Sequence, residues 1–312
     1  MLDGIGCRWV WMLAGGVALF GCENAVAVIA EQREAGGEPS SGGSAGAGGR
    51  GDAGVSRPRF GAPVAVEELN DPEAKDQDPT LTADLLEIFF FSDRGGNEDL
   101  WTSRRADRQS AWEPPERVAE VSSDDIDLNP MISPDGLRLW FYSRRSPSGI
   151  WYSERPSREE PFAAPVSVPI EPPEGGGLVI APSLTADELR MAISIGESST
   201  HDIFEVVRPH RTASWGPPAL VTGLNSDAAD STPFLIDDGR QLLMASARTG
   251  NGDLYWAYRE SVGSAVTLLE PLEELNDAES YESHPHLAAD GSVIFFGSDR
   301  TGGTDLFEAP AR

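Results

Sequence analysis

The sequence predicts an all-β protein, a five-bladed β-propeller made of four-stranded antiparallel blades. One observation behind this prediction is a proline that recurs at spacings of 51, 52, 51 and 52 residues, as Pro79, Pro130, Pro182, Pro233 and Pro285. The other is that each interval contains short apolar segments separated by turns rich in Gly, Asp and Ser. Because a period of about 50 residues with four strands per unit is typical of propeller blades, we expect five blades around one axis.

The first interval illustrates how each element is assigned. Residues 78–82 are predicted as a short strand, a turn follows at 83–84, and the apolar run 86–92 is predicted as a buried strand. Residues 99–103 form the third strand, and the fourth lies within 112–120, where prolines suit an exposed edge. Asp and Gly recur at the turn because a hairpin needs residues that tolerate positive φ there.

The two ends of the repeat array predict how the ring closes. The fifth repeat stops after its third strand, at 307–310, whereas an unassigned fourth strand at 60–71 precedes the first repeat. The triplet Leu69-Asn70-Asp71 matches Leu275-Asn276-Asp277, and each Asn lies nine residues before the recurring proline of its repeat. We therefore expect the N-terminal strand to complete the last blade, because an open sheet edge would favour aggregation.

Two motifs of the repeat resemble those of a known family. The segment 133–141 reads Ser-Pro-Asp-Gly-x-x-Leu-x-Phe, and the segment 92–100 reads Ser-Asp-Arg-x-Gly-x-x-Asp-Leu. In these motifs, residues 60–312 resemble the TolB-type propeller repeat, a WD-like repeat. The resemblance implies a propeller fold, and the analogy with TolB implies protein partners in the cell envelope.

The N-terminal region is predicted to direct the chain to the bacterial cell envelope. An apolar run at 9–20 follows Arg8 and is too short to span a bilayer, which is typical of a signal peptide. The run ends in Leu19-Phe20-Gly21-Cys22, which resembles a bacterial lipobox, so Cys22 is the predicted lipidation site. An ordinary secretory signal is the alternative. The predicted domains are a signal peptide with a lipobox (1–21), a flexible Gly/Ser-rich tether (22–57) and the propeller (58–312).

Charge and cysteine content limit the expected partners. The formal net charge of −27 repels phosphate backbones, so nucleic acid is not an expected partner. The cysteines, Cys7 and Cys22, both precede the propeller, so neither a disulfide nor a cysteine-based site is expected within it. We expect a monomer, lipid-anchored in the periplasm or on the outer surface, whose partner is an envelope protein or polysaccharide and whose only membrane contact is the anchor.

The candidate site is the loop face of the propeller, where the loop before the first strand and the loop between the second and third strands surround the central channel. Ligand-binding candidates near the channel precede the recurring proline: Asp78, Asn129, Thr232 and His284, with Ala181 at the same position of the third repeat. The loops between second and third strands add Arg94, Arg145, Glu197, Arg248 and Arg300. An alternative interpretation is that the arginines pair with the Asp that opens the third strand of the same blade: Asp99, Asp253 and Asp305.

His286 is a further binding candidate because it lies two residues after His284. Alternation along a strand would direct both imidazoles to one side, where they could share a metal with Glu282. A polar lining of the channel is the preferred interpretation, and no metal is predicted. Ca²⁺ is the alternative at residues 124–127, but that loop lacks a complete set of ligands, so no cofactor is expected.

Two functions from different classes remain open. The first is a non-catalytic, envelope-tethered propeller that binds a protein or a cell-surface glycan through its loop face. The second is a five-bladed glycoside hydrolase of the arabinanase kind, which needs carboxylates converging from different blades. Its candidate catalytic residues are Asp78, Glu197 and Glu282. Asn129, Ala181 and Thr232 interrupt the inner ring of carboxylates, which favours the first function.

Overall fold

A computed structural model describes residues 57–197, 200–236 and 238–312, so the predicted signal peptide, Cys22 and all of the tether except Arg57 lie outside the described residues. Within these ranges no helix is long and apolar enough to cross a membrane. The strands are β1 (Val64–Ala65), β2 (Asp76–Leu81), β3 (Glu87–Ser92), β4 (Asp99–Arg104), β5 (Glu116–Arg117), β6 (Asp127–Ile132), β7 (Arg138–Ser143), β8 (Gly149–Glu154), β9 (Val166–Ser167), β10 (Leu178–Leu184), β11 (Arg190–Gly196), β12 (Asp202–Val207), β13 (Ala219–Leu220), β14 (Asp230–Ile236), β15 (Gln241–Ser246), β16 (Asp253–Tyr258), β17 (Leu268–Pro271), β18 (Glu282–Leu287), β19 (Val293–Ser298) and β20 (Asp305–Pro310).

These strands form five four-stranded antiparallel sheets, which confirms the predicted fold class. In the first four blades the strands follow chain order from the inner to the outer edge, and the blades begin at β2, β6, β10 and β14. The fifth blade has the order β18, β19, β20, β1. Each inner strand contacts the inner strand of the next blade, and β18 contacts β2, so the blades form a closed ring.

The N-terminal strand completes the fifth blade, as the sequence analysis expects. Val64 pairs with Glu308 and Ala65 with Phe307 in antiparallel register. Just before them, Phe60 forms an isolated antiparallel bridge with Ala311. The outer edge of the last blade is therefore covered by the first strand of the domain.

The hydrophobic core lies between blades, because the second strand of each blade is buried on both faces. Phe89 and Phe91 pack with Phe141 of the second blade, whereas Phe90, one residue out of phase, packs with Phe295 of the fifth blade. Alternation along a strand thus divides the apolar side chains of each blade between its two neighbours.

The recurring proline marks a β-bulge in each inner strand. In the first blade the pairing of β2 with β3 shifts between Gln77 and Thr80, which brackets Asp78 and Pro79, and the other four blades shift at the same place. Proline has no N–H to donate to the ladder, so the bulge places it where no hydrogen bond is lost. The bulge turns the preceding residue toward the channel.

Candidate functional site

Five residues, one from each blade, surround the narrow part of the central channel and are called the channel ring: Asp78, Asn129, Ala181, Thr232 and His284. All five have a left-handed backbone, with φ between 50° and 61°. This conformation costs free energy for residues other than glycine, above all for a β-branched threonine. Its presence in every blade shows that the bulge imposes it, so the strain belongs to the repeat.

The polar side chains of the channel ring bind the backbone of the next blade. Asp78 Oδ2 accepts hydrogen bonds from the backbone N of Asn129 (2.9 Å) and from its Nδ2 (2.7 Å). Asn129 Oδ1 accepts from the backbone N of Ala181 (3.3 Å), and Thr232 Oγ1 accepts from the backbone N of His284 (3.2 Å). The ring side chains thus satisfy N–H groups that the bulges release from the sheets.

The third blade departs from this rule because alanine has no acceptor to offer. There the backbone N of Thr232 donates to Ser194 Oγ (3.0 Å), and Ser194 belongs to the second strand of the third blade. Ser194 was not among the site residues predicted from the sequence. The only signal was indirect, since an alanine in a polar ring leaves an N–H that needs another partner.

His284 and Asp78 close the ring between the fifth and first blades. Asn129 Nδ2 lies 3.0 Å from His284 Nε2, within hydrogen-bond distance. Nδ1 of His284 lies 2.9 Å from Ser283 Oγ and 2.8 Å from Asp78 Oδ1, and of these two contacts the one with Ser283 has the geometry of a hydrogen bond. Asp78 Oδ1 is therefore buried without a hydrogen-bond partner among the described residues.

A second layer of the channel repeats the same kind of bond one step deeper. Thr80 Oγ1 accepts from the backbone N of Ile132 (3.2 Å), and His286 Nε2 accepts from the backbone N of Leu81 (3.3 Å). Burial lowers the pKa of His286 to about 3, which keeps the imidazole neutral and able to accept. Nε2 of His286 therefore accepts a hydrogen bond from the backbone, whereas the imidazole of His284 lies beside the carboxylate of Asp78. Among the described residues no three metal-ligating side chains converge.

The four arginines of the loop face bind acids of their own blades, but not the predicted ones. The pairs are Arg94–Asp76 (2.5 Å), Arg145–Asp127 (2.7 Å), Arg248–Asp230 (2.6 Å) and Arg300–Glu282 (2.9 Å). Each acid opens the first strand of its blade and is fully buried. The interpretation that the partners are Asp99, Asp253 and Asp305 is therefore wrong. Asp99 instead binds Arg117 (2.6 Å), and the other two accept from threonine hydroxyls, those of Thr249 and Thr301.

Each loop arginine also donates to the backbone at the end of the preceding segment. Arg94 Nη2 donates to the carbonyl of Leu69 (2.5 Å), and Arg300 Nη2 donates to that of Leu275 (2.6 Å). Their Nε atoms donate to the serine that ends the second strand. These contacts join the first and second strands of one blade to the segment that connects it with the preceding blade, and contact of the arginines with a ligand stays a prediction.

The structure does not bring the three candidate catalytic carboxylates together. Asp78 lines the channel. Glu282 is enclosed in the fifth blade by Arg300 and by Ser298 Oγ (2.8 Å), and burial raises its pKa against these contacts. Glu197 is exposed on the loop after β11 and lines a separate cavity beside the glycines at 175–177. A glycosidase pair needs carboxylates about 5–9.5 Å apart around one sugar ring, and these three residues share no cavity.

The channel itself is narrow, and an aromatic ring lies at its mouth. The open space at the channel ring is about 40 Å³, enough for a few water molecules. Tyr281 lies on the loop face and is 42% exposed. Burial of its hydroxyl end, beside Ser231, raises the pKa of Tyr281, and the charge of Asp78 adds to the shift. The ring lies against Gly252, where a Cβ would stand 2.1 Å from Cε2 of the tyrosine.

The fold and the channel ring define the chain as a five-bladed β-propeller, and comparisons with known proteins agree with that class. No family model and no curated protein matches the sequence. Among solved structures, the catalytic domain of a Coprinopsis cinerea GH62 α-L-arabinofuranosidase is similar, with 12% identity, a TM-score of 0.57, and coverage of 82% of this chain and 96% of that chain. An endo-arabinase from Bacteroides thetaiotaomicron has 15% identity, a TM-score of 0.55, and coverage of 80% and 96%. A putative TolB from Agrobacterium tumefaciens has 15% identity, a TM-score of 0.46, and coverage of 78% and 79%. At these identities the likeness concerns the fold alone.

Proposed function

We propose that this chain is a non-catalytic binding propeller, tethered to the bacterial cell envelope, that binds a protein or a cell-surface glycan through its loop face. The proposal rests on the hydrogen bonds of the channel ring and on the small space at its centre. Its polar side chains are already bonded to the next blade, and about 40 Å³ of space remains at its centre. A sugar or peptide therefore has to be bound by the loops around the mouth, including the exposed ring of Tyr281.

The loop face is suited to recognition because its charged framework is rigid. The buried acid–arginine pairs hold the loops between second and third strands against the inner strands. Loops on a rigid scaffold lose little conformational entropy when they bind. The net charge of −27 would favour approach of cationic protein surfaces or weakly charged glycans.

Attachment to the envelope is part of the proposal and rests on the sequence. Lipidation of Cys22 after removal of residues 1–21 would place the propeller at the end of a tether spanning roughly 30–35 Å. Mass spectrometry of the chain isolated from bacterial membranes tests it. A diacylated N-terminal peptide beginning at Cys22 is the expected result. An unmodified Cys22 in a released chain would instead indicate an ordinary secretory signal and no lipid anchor.

An arabinanase-like hydrolase is the second candidate, because Asp78 lines the channel and its Oδ1 has no hydrogen-bond partner among the described residues. The similar fold of the two arabinose-related enzymes is compatible with it. Of the residues that the structure describes, Asp78 is the one carboxylate that lines this cavity, which disfavours the hydrolase because acid and base or nucleophile roles require a pair.

One experiment separates the two functions. The full chain is applied to a glycan array and to bacterial envelope proteins, and sugar release from arabinan and galactan is measured in parallel. Binding without sugar release supports the proposal. Sugar release that is abolished by Asp78→Asn or Glu197→Gln, but kept by Asp124→Asn on the same face, would overturn it in favour of the hydrolase.

A further inference from the structure

A second, repeated arginine joins neighbouring blades on the face opposite the loop face. Arg108 Nε donates to the carbonyl of Asp84 in its own blade (3.0 Å), and Nη1 donates to the carboxylate of Asp290 in the preceding blade (2.6 Å). Arg158 repeats the arrangement, with Nε to the carbonyl of Asp135 (3.0 Å) and Nη1 to the carboxylate of Asp84 (2.6 Å). The charge of each arginine is thereby neutralised by an aspartate carboxylate in the turn of the preceding blade.

The third blade breaks this pattern at Arg211. Its Nε donates to the carbonyl of Asp187 (3.0 Å), as the repeat requires. The carboxylate that should meet it, Asp135 of the second blade, is instead paired with Arg138 (2.9 Å). The nearest carboxylate to Arg211 is that of Glu188, at 3.8 Å, and half of the arginine side chain is exposed. Nη2 of Arg211 donates to the carbonyl of Ala186 (3.3 Å), and within the described residues Nη1 makes no hydrogen bond.

The cause of the break is the turn residue of the third blade. The second blade has Gly136 there, and a Cβ at that glycine would lie 2.7 Å from Arg158 Nε. The third blade has Glu188 instead, in a left-handed conformation (φ 60°) that is strained for a glutamate. Its buried carboxylate binds Arg138 Nε (2.5 Å) and thus leaves Asp135 and Arg211 apart.

A groove of about 550 Å³ opens between the second and third blades at this point. Its walls carry three aromatic rings, since Trp140 packs on Tyr152 (centroids 5.0 Å apart) and Trp215 lies under the guanidinium of Arg208 (4.3 Å). Arg208 is also weakly paired, because its closest carboxylate is Glu188 at 3.5 Å. The equivalent arginine of the second blade, Arg155, lies 2.5 Å from a glutamate of the preceding blade.

We propose that this groove binds an acidic sugar, with Arg211 and Arg208 holding the carboxylate of a hexuronate residue and the rings of Trp215 and Tyr152 lining its face. Guanidinium groups recognise carboxylates through paired hydrogen bonds, and the volume lies within the range of small-ligand sites. The exposed carboxylate of Glu154 in the same groove can accept sugar hydroxyls, and the charges of Glu154 and Glu188 would repel a doubly charged phosphate more strongly than a singly charged carboxylate. The site is separate from the loop face and does not depend on the function proposed for it.

The test titrates the full chain with trigalacturonate and with neutral galactotriose, followed by calorimetry and by the fluorescence of the groove tryptophans. We expect saturable binding of trigalacturonate only. Arg211→Gln should weaken this binding at least tenfold, a change of about 1.4 kcal/mol, because it removes the charged hydrogen bond that Nη1 would donate to the carboxylate. Arg158→Gln is the matched control, since the equivalent arginine is already neutralised by Asp84, and it should leave affinity unchanged.

Three results would overturn the proposal. These are the absence of trigalacturonate binding at millimolar concentration, equal affinity for the neutral trisaccharide, and an unchanged affinity in Arg211→Gln. Competition by inorganic phosphate as strong as that by galacturonate would also contradict it, because the sugar ring would then contribute nothing. Because Arg211→Gln alters this groove and leaves the loop face intact, its effect distinguishes the two sites, and failure here leaves the function proposed for the loop face undecided.

Discussion

The side chain of Asn70 forms two hydrogen bonds with the backbone of Leu306: Oδ1 accepts from the backbone N (2.8 Å) and Nδ2 donates to the carbonyl (3.1 Å). The two residues are 236 positions apart and belong to opposite ends of the propeller. Asn276 binds Leu254 in the fourth blade at the same two distances, 2.8 and 3.1 Å. The ring closure therefore uses the same contact that joins consecutive segments elsewhere.

Asn70→Ala is expected to destabilise the protein by about 1–3 kcal/mol, because it removes two hydrogen bonds and leaves part-buried backbone groups without partners. Asn276→Ala should cost a similar amount. Urea unfolding of both variants measures the comparison. If Asn70→Ala left the free energy of unfolding unchanged while Asn276→Ala lowered it, the N-terminal strand would not be closing the ring.

Ala181→Gly is expected to stabilise the protein by about 0.5–1 kcal/mol, although a glycine in a strand usually destabilises. The reason is the left-handed backbone of Ala181 (φ 52°), which glycine adopts without strain. The matched control is Ala192→Gly, at a buried position of β11, which should lose stability. Thermal or urea unfolding measures both, and a loss of equal size at the two positions would contradict strain at the channel ring.

His286 is expected to make stability depend on pH. Burial lowers the pKa of the folded-state imidazole to about 3, below the ordinary value of about 6.5 expected in the unfolded chain. The unfolded state therefore binds the extra proton between these values, so the free energy of unfolding falls as the pH drops from about 6.5 towards 3. Above 6.5 the histidine has no effect.

His286→Gln keeps an acceptor for the backbone N of Leu81 but does not titrate. We expect its free energy of unfolding to fall less steeply between pH 6.5 and 3 than that of the unsubstituted protein, measured by urea unfolding at several pH values. His210→Gln, at an exposed histidine, should show the unsubstituted profile. Parallel profiles for all three proteins would mean that the imidazole at 286 is not buried in its neutral form.

The buried pair between Glu205 and Arg259 joins the third and fourth blades. Glu205 accepts from Arg259 Nη2 (2.6 Å) and from Arg190 Nη1 (2.7 Å), and Arg259 is 1% exposed. Glu205→Gln should cost about 3–5 kcal/mol, because it leaves a buried guanidinium without a counter-charge. Asp238→Asn, which removes the exposed partner of Arg240, should cost less than about 1 kcal/mol. Equal losses of unfolding free energy, measured with urea, would show that the Glu205–Arg259 pair is as accessible to solvent as the Asp238–Arg240 pair.

Much of the fold could be predicted because each repeat carries the same local sequence pattern. The proline period indicates the number of blades, and the match between Asn70 and Asn276 indicates which strand closes the ring. The positions of the channel ring were also predictable, since each precedes a recurring proline and lines the channel in the structure. Their role in binding a ligand is still a prediction.

The acidic partners of the loop arginines could not be predicted from the sequence. The spacing from Arg94 to Asp99 is short and repeats in other blades, so it suggested a pair. The register of the antiparallel strands instead brings Asp76 opposite Ser92, next to the loop that carries Arg94. Sequence separation does not report which of two nearby carboxylates an arginine meets, because strand pairing decides the distance.

The number of blades and the closure of the ring follow from the sequence, because proline, turn residues and alternating apolar residues act through local backbone geometry that repeats with the chain. The packing of the chain was needed to show that polar side chains of the channel ring bond to the next blade, that Glu282 is enclosed with Arg300, and that Arg211, beside an aromatic groove, lies 3.8 Å from the carboxylate of Glu188. Those relationships join residues from different strands or different blades, and their distances depend on strand pairing and on how the blades pack against one another.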